Sequence, residues 1–112
     1  MDRIENYRRI LQQVVERHAQ FQPANGAIKT HAVCDRAGDE YMVIDSGWNE
    51  KNQRIYDVVL HFRLQEGAVH VERDNTDAEV IRELLELGIS KDDIILAYNA
   101  LPYQRLNDSI AI

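Results

Sequence analysis

The sequence predicts an α+β fold in which an N-terminal and a C-terminal helix pack on one face of a four-stranded antiparallel meander sheet. Two segments of the 112-residue chain place apolar residues at helical spacing. Between them lie segments that alternate apolar and polar residues and are separated by polar turns. Since such alternation leaves one sheet face buried and the other solvated, we expect both helices on the same side. A chain of this length is expected to form one domain over residues 1–112.

The first predicted helix runs from about Asp2 to Gln20 and ends before Pro23. Its apolar side consists of Ile4, Tyr7, Leu11, Val14, Val15 and His18. Its basic residues are Arg3, Arg8, Arg9 and Arg17. Because Glu5 and Glu16 are interleaved with these arginines, we expect the basic residues to form a solvated helix face.

Two strands are predicted to follow, from Ile28 to Asp35 and from Tyr41 to Trp48. Polar turns end each strand, over Asp35 to Asp39 and over Asn49 to Asn52. Alternation places Cys34 on the same side of its strand as Ile28. We therefore expect Cys34 to be a small buried hydrophobe, since nothing nearby would activate it as a nucleophile.

A hairpin comes next, with strands from Arg54 to Leu64 and from Ala68 to Glu72 around a two-residue turn at Glu66-Gly67. That turn sets the register: Gln65 faces Ala68, Leu64 faces Val69, Phe62 faces Val71, Leu60 faces Arg73, Arg63 faces His70 and His61 faces Glu72. The buried face is then expected to carry Leu60, Phe62, Leu64, Val69 and Val71. The opposite face carries His61, Arg63, His70 and Glu72.

The second predicted helix runs from Asp77 to Leu87, and Gly88 suits a left-handed C-cap. Thr76 to Glu79 reads as a capping box, in which the threonine hydroxyl and the glutamate carboxylate bond each other's amide groups. Beyond it, Ser90 to Asp93 could cap a further helix, while Ile94 to Tyr98 suits a buried strand equally well. We favour a single turn that leads into a strand.

Charge and composition narrow the class of protein. The net charge of −6 is concentrated in residues 72–93, which hold three basic and eight acidic residues. A phosphate backbone would be repelled by that segment, so only the N-terminal part could face DNA. No apolar run reaches the roughly 20 residues of a transmembrane helix, and the N-terminus lacks the layout of a signal peptide. With a single cysteine, no internal disulfide is possible, and the cytoplasm is the expected location.

Ordered sequence segments along nearly the whole chain are similar to those of one known family. They are Tyr7-Arg8-Arg9-Ile10, Asp35, Tyr41 to Trp48, Arg54-Ile55-Tyr56, Val59-Leu60-His61, Glu66-Gly67, Arg73 to Asp77, Leu84 to Ile89 and Lys91 to Leu96. In these the chain resembles the XisI family, the fdxN element excision controlling factors known from cyanobacteria. Two features depart from the family pattern. His70 replaces an expected aromatic residue, and the tail lacks the aromatic residues usual at 107–110.

The resemblance implies an accessory role in controlling the excision of a DNA element by a site-specific recombinase, together with a companion protein, XisH. It carries no established active site, and so it implies no catalytic residue and no cofactor. The role implied is non-enzymatic and involves contacts with a XisH-like companion. Separately, the open edge strands of the expected meander are natural sites for pairing with a second copy of the chain.

The residue pattern yields one candidate site for protein contacts and leaves two alternatives open. The candidate partner-binding residues are Trp48, Tyr56, His61, Arg63 and His70. We expect the solvated face of the sheet to carry His61, Arg63 and His70 together with Trp48 or Tyr56, a mixture of aromatic and basic groups. The first alternative is direct DNA binding through the N-terminal helix and the same face. The second is a small acidic enzyme, although neither the four histidines nor the helix-start carboxylates complete a metal or catalytic set.

Overall fold

The computed structural model describes residues 2–23, 27–76 and 78–106. Two helices and five strands make up this part of the chain. In chain order they are α1 (Arg3–His18), β1 (Ala27–Asp35), β2 (Glu40–Trp48), β3 (Arg54–Gln65), β4 (Ala68–Asp74), α2 (Val80–Leu87) and β5 (Ile94–Leu96). The sheet follows the order β1-β2-β3-β4-β5. No helix in the described ranges is long and apolar enough to cross a membrane.

Helix α1 begins where Asp2 caps it, since the Asp2 carboxylate accepts a hydrogen bond from the amide of Ile4. Its predicted apolar side is the side that packs against β1, β2 and β3. The buried residues of α1 are Tyr7, Ile10, Leu11, Val14, Val15 and His18. Burial of this stripe, rather than helix propensity, accounts for most of the stability of such a helix.

The first four strands form the predicted antiparallel meander, but the sheet has a fifth strand, and the prediction of four antiparallel strands is wrong in that respect. Strand β5 lies parallel to β4, with Val69 opposite Ile94 and Val71 opposite Leu96. Helix α2 connects the two strands and carries the chain back across the sheet. Adjacent parallel strands require a crossover connection of this kind, because a short hairpin can join only antiparallel strands. The favoured sequence of a turn and then a strand is confirmed, since a 3₁₀ turn at Lys91–Asp93 precedes β5.

The register of the β3–β4 hairpin is confirmed next to its turn and shifts farther away. The positive φ angles of Glu66 and Gly67 (55° and 79°) match the predicted two-residue turn. Four predicted pairs occur: Gln65 with Ala68, Leu64 with Val69, Arg63 with His70 and Phe62 with Val71. A β-bulge then shifts the pairing by one residue, so that His61 faces Arg73 rather than Glu72, and Leu60 faces Asp74 rather than Arg73. The predicted core face is confirmed, because Leu60, Phe62, Leu64, Val69 and Val71 are all buried.

Helix α2 begins three residues later than predicted, and the predicted capping box does not form. Glu79 occupies the N-cap position without a capping side-chain bond. The Thr76 hydroxyl instead donates to Asp74 Oδ1 at 2.7 Å. Asp74 replaces Glu79 as the partner of Thr76, because the Asp74 carboxylate accepts from both the amide and the hydroxyl of Thr76. Asp77 lies outside the described residues, whereas the left-handed C-cap at Gly88 is confirmed by its φ of 115°.

A polar joint links α1 to the segment that precedes β5. The hydroxyl of Tyr7 donates to Asp93 Oδ2 at 2.6 Å and accepts from the amide of Ser90 at 3.2 Å. Arg3 Nη1 donates to the same Asp93 oxygen at 2.7 Å, and its guanidinium lies over the Tyr7 ring. Burial, reinforced by the hydrogen bond to Asp93, raises the pKa of Tyr7. The joint therefore holds β5 in place from the helix side.

Candidate interaction surface

The face of the sheet opposite α1 and α2 carries all five candidate residues, and we call it the outer face. Strand alternation and the register define its members. They include Val33 of β1, Glu40, Met42, Ile44 and Trp48 of β2, Arg54, Tyr56, Val58, His61 and Arg63 of β3, and His70 of β4. Both helices pack on the other side, so no described helix covers this face.

One end of the outer face is aromatic. Trp48 is 49% exposed and Tyr56 is 67% exposed. The guanidinium carbon of Arg54 lies 5.5 Å from the Trp48 ring centroid and 5.9 Å from that of Tyr56. Such cation–π contacts hold exposed rings in a defined orientation. The turn beside them is also ordered, since Asn49 Oδ1 accepts from the amides of Lys51 and Gln53.

The other end is a charged and imidazole-containing cluster centred on Glu40. One oxygen of the Glu40 carboxylate lies 2.7 Å from His61 Nε2, and the other accepts from Arg63 Nε at 3.2 Å. Arg63 Nη1 is also 3.7 Å from Glu72. His70 is the cross-strand neighbour of Arg63. The pairs of Glu40 with His61 and with Arg63, and of Arg63 with Glu72, link four half-buried side chains, so this end is held in a defined arrangement.

The five predicted residues form two clusters rather than one. Trp48 and Tyr56 lie together, as do His61, Arg63 and His70, but Glu40 and Trp48 stand at opposite ends of β2, about 27 Å apart at the rise of a strand. An apolar strip of Val33, Met42, Ile44 and Val58 joins the clusters. Ile44 is only 9% exposed although no described helix covers it, because its strand neighbours surround it.

Sequence reasoning missed two functional neighbours, Arg54 and Glu40. A signal for Arg54 was present, since a tight turn between β2 and β3 places Arg54 directly opposite Trp48. Glu40 was hidden because its pairing with Arg63 depends on a second bulge, between Val43 and Ile44, which no local sequence pattern marks.

The basic residues around α1 are engaged by carboxylates. The ion pairs are Arg3 with Asp93, Arg8 with Asp39, Arg17 with Glu83, and Arg36 with Glu5. Arg9 Nη2 donates to Asn6 Oδ1 at 2.6 Å. Burial acts to raise the pKa of Glu83, but hydrogen bonds from Arg17 and His18 outweigh it and hold that pKa below its ordinary value. The helix therefore does not present a row of free cations.

Catalytic and metal chemistry has little support in the described residues. They contain no group of three histidine, cysteine or acidic side chains arranged to hold a metal ion. Cys34 is half-buried, and burial raises the pKa of its thiol, which disfavours the reactive thiolate. Burial and a hydrogen bond to Asp39 raise the pKa of Tyr41 to about 12, so its hydroxyl stays protonated near neutral pH.

Comparison with known proteins places this fold. The sequence profile of the XisI family, described as XisI protein, matches residues 1–111. The crystal structure of a XisI-like protein from Anabaena variabilis superposes with a TM-score of 0.85 at 22% identity, covering 94% of this chain and 95% of that one. That of the fdxN element excision controlling factor XisI from the same organism superposes with a TM-score of 0.80 at 24% identity, covering 96% of each chain. No functionally curated protein matches. With this fold and a match over almost its full length, the chain belongs to the XisI family.

Proposed function

We propose that this protein is a non-enzymatic accessory factor that uses its outer face to bind a XisH-like companion protein in the control of DNA-element excision. The single observation that carries the proposal is the aromatic end of that face. There Trp48 and Tyr56 stand exposed, and Arg54 orients both rings. Tryptophan, tyrosine and arginine are the residues that most often dominate protein–protein binding energy.

The composition of the outer face supports a protein partner. The apolar strip between the two clusters would gain free energy from burial. The Glu40 cluster would supply oriented polar groups at the margin of the contact. Because its side chains already bond one another, binding would cost little additional side-chain entropy there. The working location of such a complex would be the cytoplasm.

Charge distribution favours a protein partner over DNA. DNA affinity draws chiefly on cations that replace the counterions of phosphates. Here the arginines around α1 are paired with carboxylates, and residues 72–93 carry a surplus of five negative charges. We therefore expect the isolated chain to have no useful affinity for duplex DNA near physiological salt. Sub-micromolar binding in fluorescence anisotropy, lost on replacing Arg8 and Arg9 by glutamine, would make DNA binding the better function.

The experiment is a binding titration with the purified XisH-like companion, followed by analytical ultracentrifugation. Trp48→Ala and Tyr56→Ala should each weaken the complex at least about tenfold, as expected for hot-spot residues. Tyr98→Ala is the matched control, because Tyr98 is also 49% exposed but lies outside the sheet strands. Equal effects of Trp48→Ala and Tyr98→Ala, or no complex at all, would overturn the proposal.

A further inference from the structure

The two edges of the sheet differ in whether other described residues pair with the backbone of the edge strand. At the β5 edge, the amide of Leu96 donates to the carbonyl of Gln104, and Ile95 forms a bridge with Arg105. At the other edge, β1 pairs with β2, and no further described strand follows it. An open edge strand exposes backbone donors and acceptors to which another strand can pair.

One position on the β1 edge is already occupied by a side chain. The amide of Thr30 donates to Gln22 Oε1 at 3.0 Å, and Gln22 Nε2 donates to the carbonyl of Thr30 at 3.0 Å. The Gln22 amide thus satisfies Thr30 as a neighbouring strand would. Since both backbone groups of Thr30 point away from β2, those of Ala32 and Cys34 do so too, because the β1–β2 register continues unbroken.

We propose that β1 pairs antiparallel with β1 of a second copy of this chain, about a two-fold axis at Val33. Outward-pointing residues must face each other in such a pair. With Thr30 engaged by Gln22, this places Ala32 opposite Cys34 of the second copy, and Val33 opposite its own equivalent. The pairing forms about four backbone hydrogen bonds between the copies and joins their two sheets into one.

The side chains of β1 are complementary to themselves in this register. Val33, an apolar residue left 40% exposed, meets its equivalent at the axis. His31 faces Asp35 of the second copy, so an imidazole N–H can donate to a carboxylate on either side of the axis. The Asp35 carboxylate is held in place by the amides of Ala37 and Gly38. The apolar strip of the outer face would also continue across the axis.

Neighbouring registers are less favourable for reasons visible in the same strand. An axis at Ala32 requires the backbone groups of Thr30 that Gln22 already engages. An axis at Cys34 places Val33 opposite Asp35 of the second copy, an apolar side chain against a carboxylate. The proposal uses the β1 edge and does not rest on companion binding by the outer face. The chain alone therefore suffices to test it.

The register is tested by disulfide trapping in a chain that carries Cys34→Ser. Val33→Cys should cross-link under mild oxidation, because residues facing each other in a non-hydrogen-bonded pair have Cα atoms about 4.5 Å apart, within disulfide range. His31→Cys in the same background is the control, since its equivalents would lie about 14 Å apart. Cross-linking through His31→Cys but not Val33→Cys would overturn the register.

The dimer itself is tested by sedimentation equilibrium of the unmodified chain over a wide concentration series. Val33→Lys should raise the dimer dissociation constant by about tenfold or more, because it removes an apolar contact and places two like charges at the axis. Tyr98→Lys adds the same charge at an exposed position after β5, at the opposite edge of the sheet from β1, and should leave the constant unchanged. A chain that stays monomeric throughout, or a dimer weakened by Tyr98→Lys and not by Val33→Lys, would overturn the proposal.

Discussion

Replacing Tyr7 by phenylalanine removes one oxygen atom from the joint between α1 and β5 and leaves the packing of the ring unchanged. The hydroxyl donates to the Asp93 carboxylate and accepts from the Ser90 amide. Hydrogen bonds to charged groups contribute about 1.5–3 kcal/mol each, and Arg3 still pairs with Asp93 in the variant. We therefore expect Tyr7→Phe to lower the free energy of unfolding by about 2 kcal/mol. At the typical unfolding entropy of a chain of this size, that is a fall in Tm of about 8 °C.

Urea denaturation monitored by circular dichroism measures this loss as a lower midpoint at unchanged slope. Tyr56→Phe is the matched control, because Tyr56 is exposed on the outer face, and its free energy of unfolding should change by less than about 0.5 kcal/mol. The folded-state pKa of Tyr7 is raised, so its stabilisation is complete below about pH 10 and is lost at higher pH. The gap between wild type and variant should therefore narrow above pH 10. Equal stability of Tyr7→Phe and wild type at neutral pH would refute the assigned role of the hydroxyl.

Three further predictions concern residues that hold the fold. Because the folded-state pKa of Glu83 is lowered, the stabilisation that Glu83 contributes is complete above about pH 4.3 and is lost as the pH falls. Glu83→Gln should therefore flatten a plot of Tm against pH in that acid range. An unchanged slope there would contradict the prediction. In urea titrations, Leu84→Ala, at a fully buried position, should lower the free energy of unfolding by about 2–5 kcal/mol. Leu85→Ala, at a half-exposed position, should lower it by less than about 1.5 kcal/mol. Similar losses for the two variants would contradict the assigned orientation of α2. Gly47→Ala should lower Tm clearly, since the φ of Gly47 is 146° and a Cβ there would lie 2.0 Å from the carbonyl oxygen of Ala27. Gly38 has no positive φ, so Gly38→Ala should lower Tm less in the same thermal denaturation experiment.

Local patterns predicted those parts of the fold that depend on neighbouring residues. The turn at Glu66-Gly67 sets the hairpin register, and alternation from that turn identifies which side of β3 is buried. The helical spacing of apolar residues likewise identified the buried side of α1. In each case one periodic pattern coincides with one buried surface, so the hydrophobic effect alone determines which side of the element is buried.

The predictions were wrong where the pairing of strands depends on residues distant in the chain or on one unpaired residue in a bulge. Strand β5 has three residues, too few for a periodic pattern, and its pairing with β4 depends on α2 and on the joint at Tyr7. The bulge in the β3–β4 pair moved His61 from Glu72 to Arg73, and Glu40 became its partner instead. The sequence thus predicted the face that carries His61, Arg63 and His70. That both Trp48 and Tyr56 lie on it, in a separate cluster, required the register.

The joint between Tyr7 and Asp93 spans 86 positions of the chain, and the accompanying bond from Arg3 spans 90. During synthesis the hairpins of β1 to β4 can form from residues that emerge close together, but α1 cannot complete its contacts until the residues of β5 have left the ribosome. Long-range closure of this kind slows folding. Until then, part of the apolar surface of α1 and of the sheet remains exposed, and an incomplete chain is prone to aggregate. The nascent protein therefore depends for its folding on β5, the last strand to be made among the described residues.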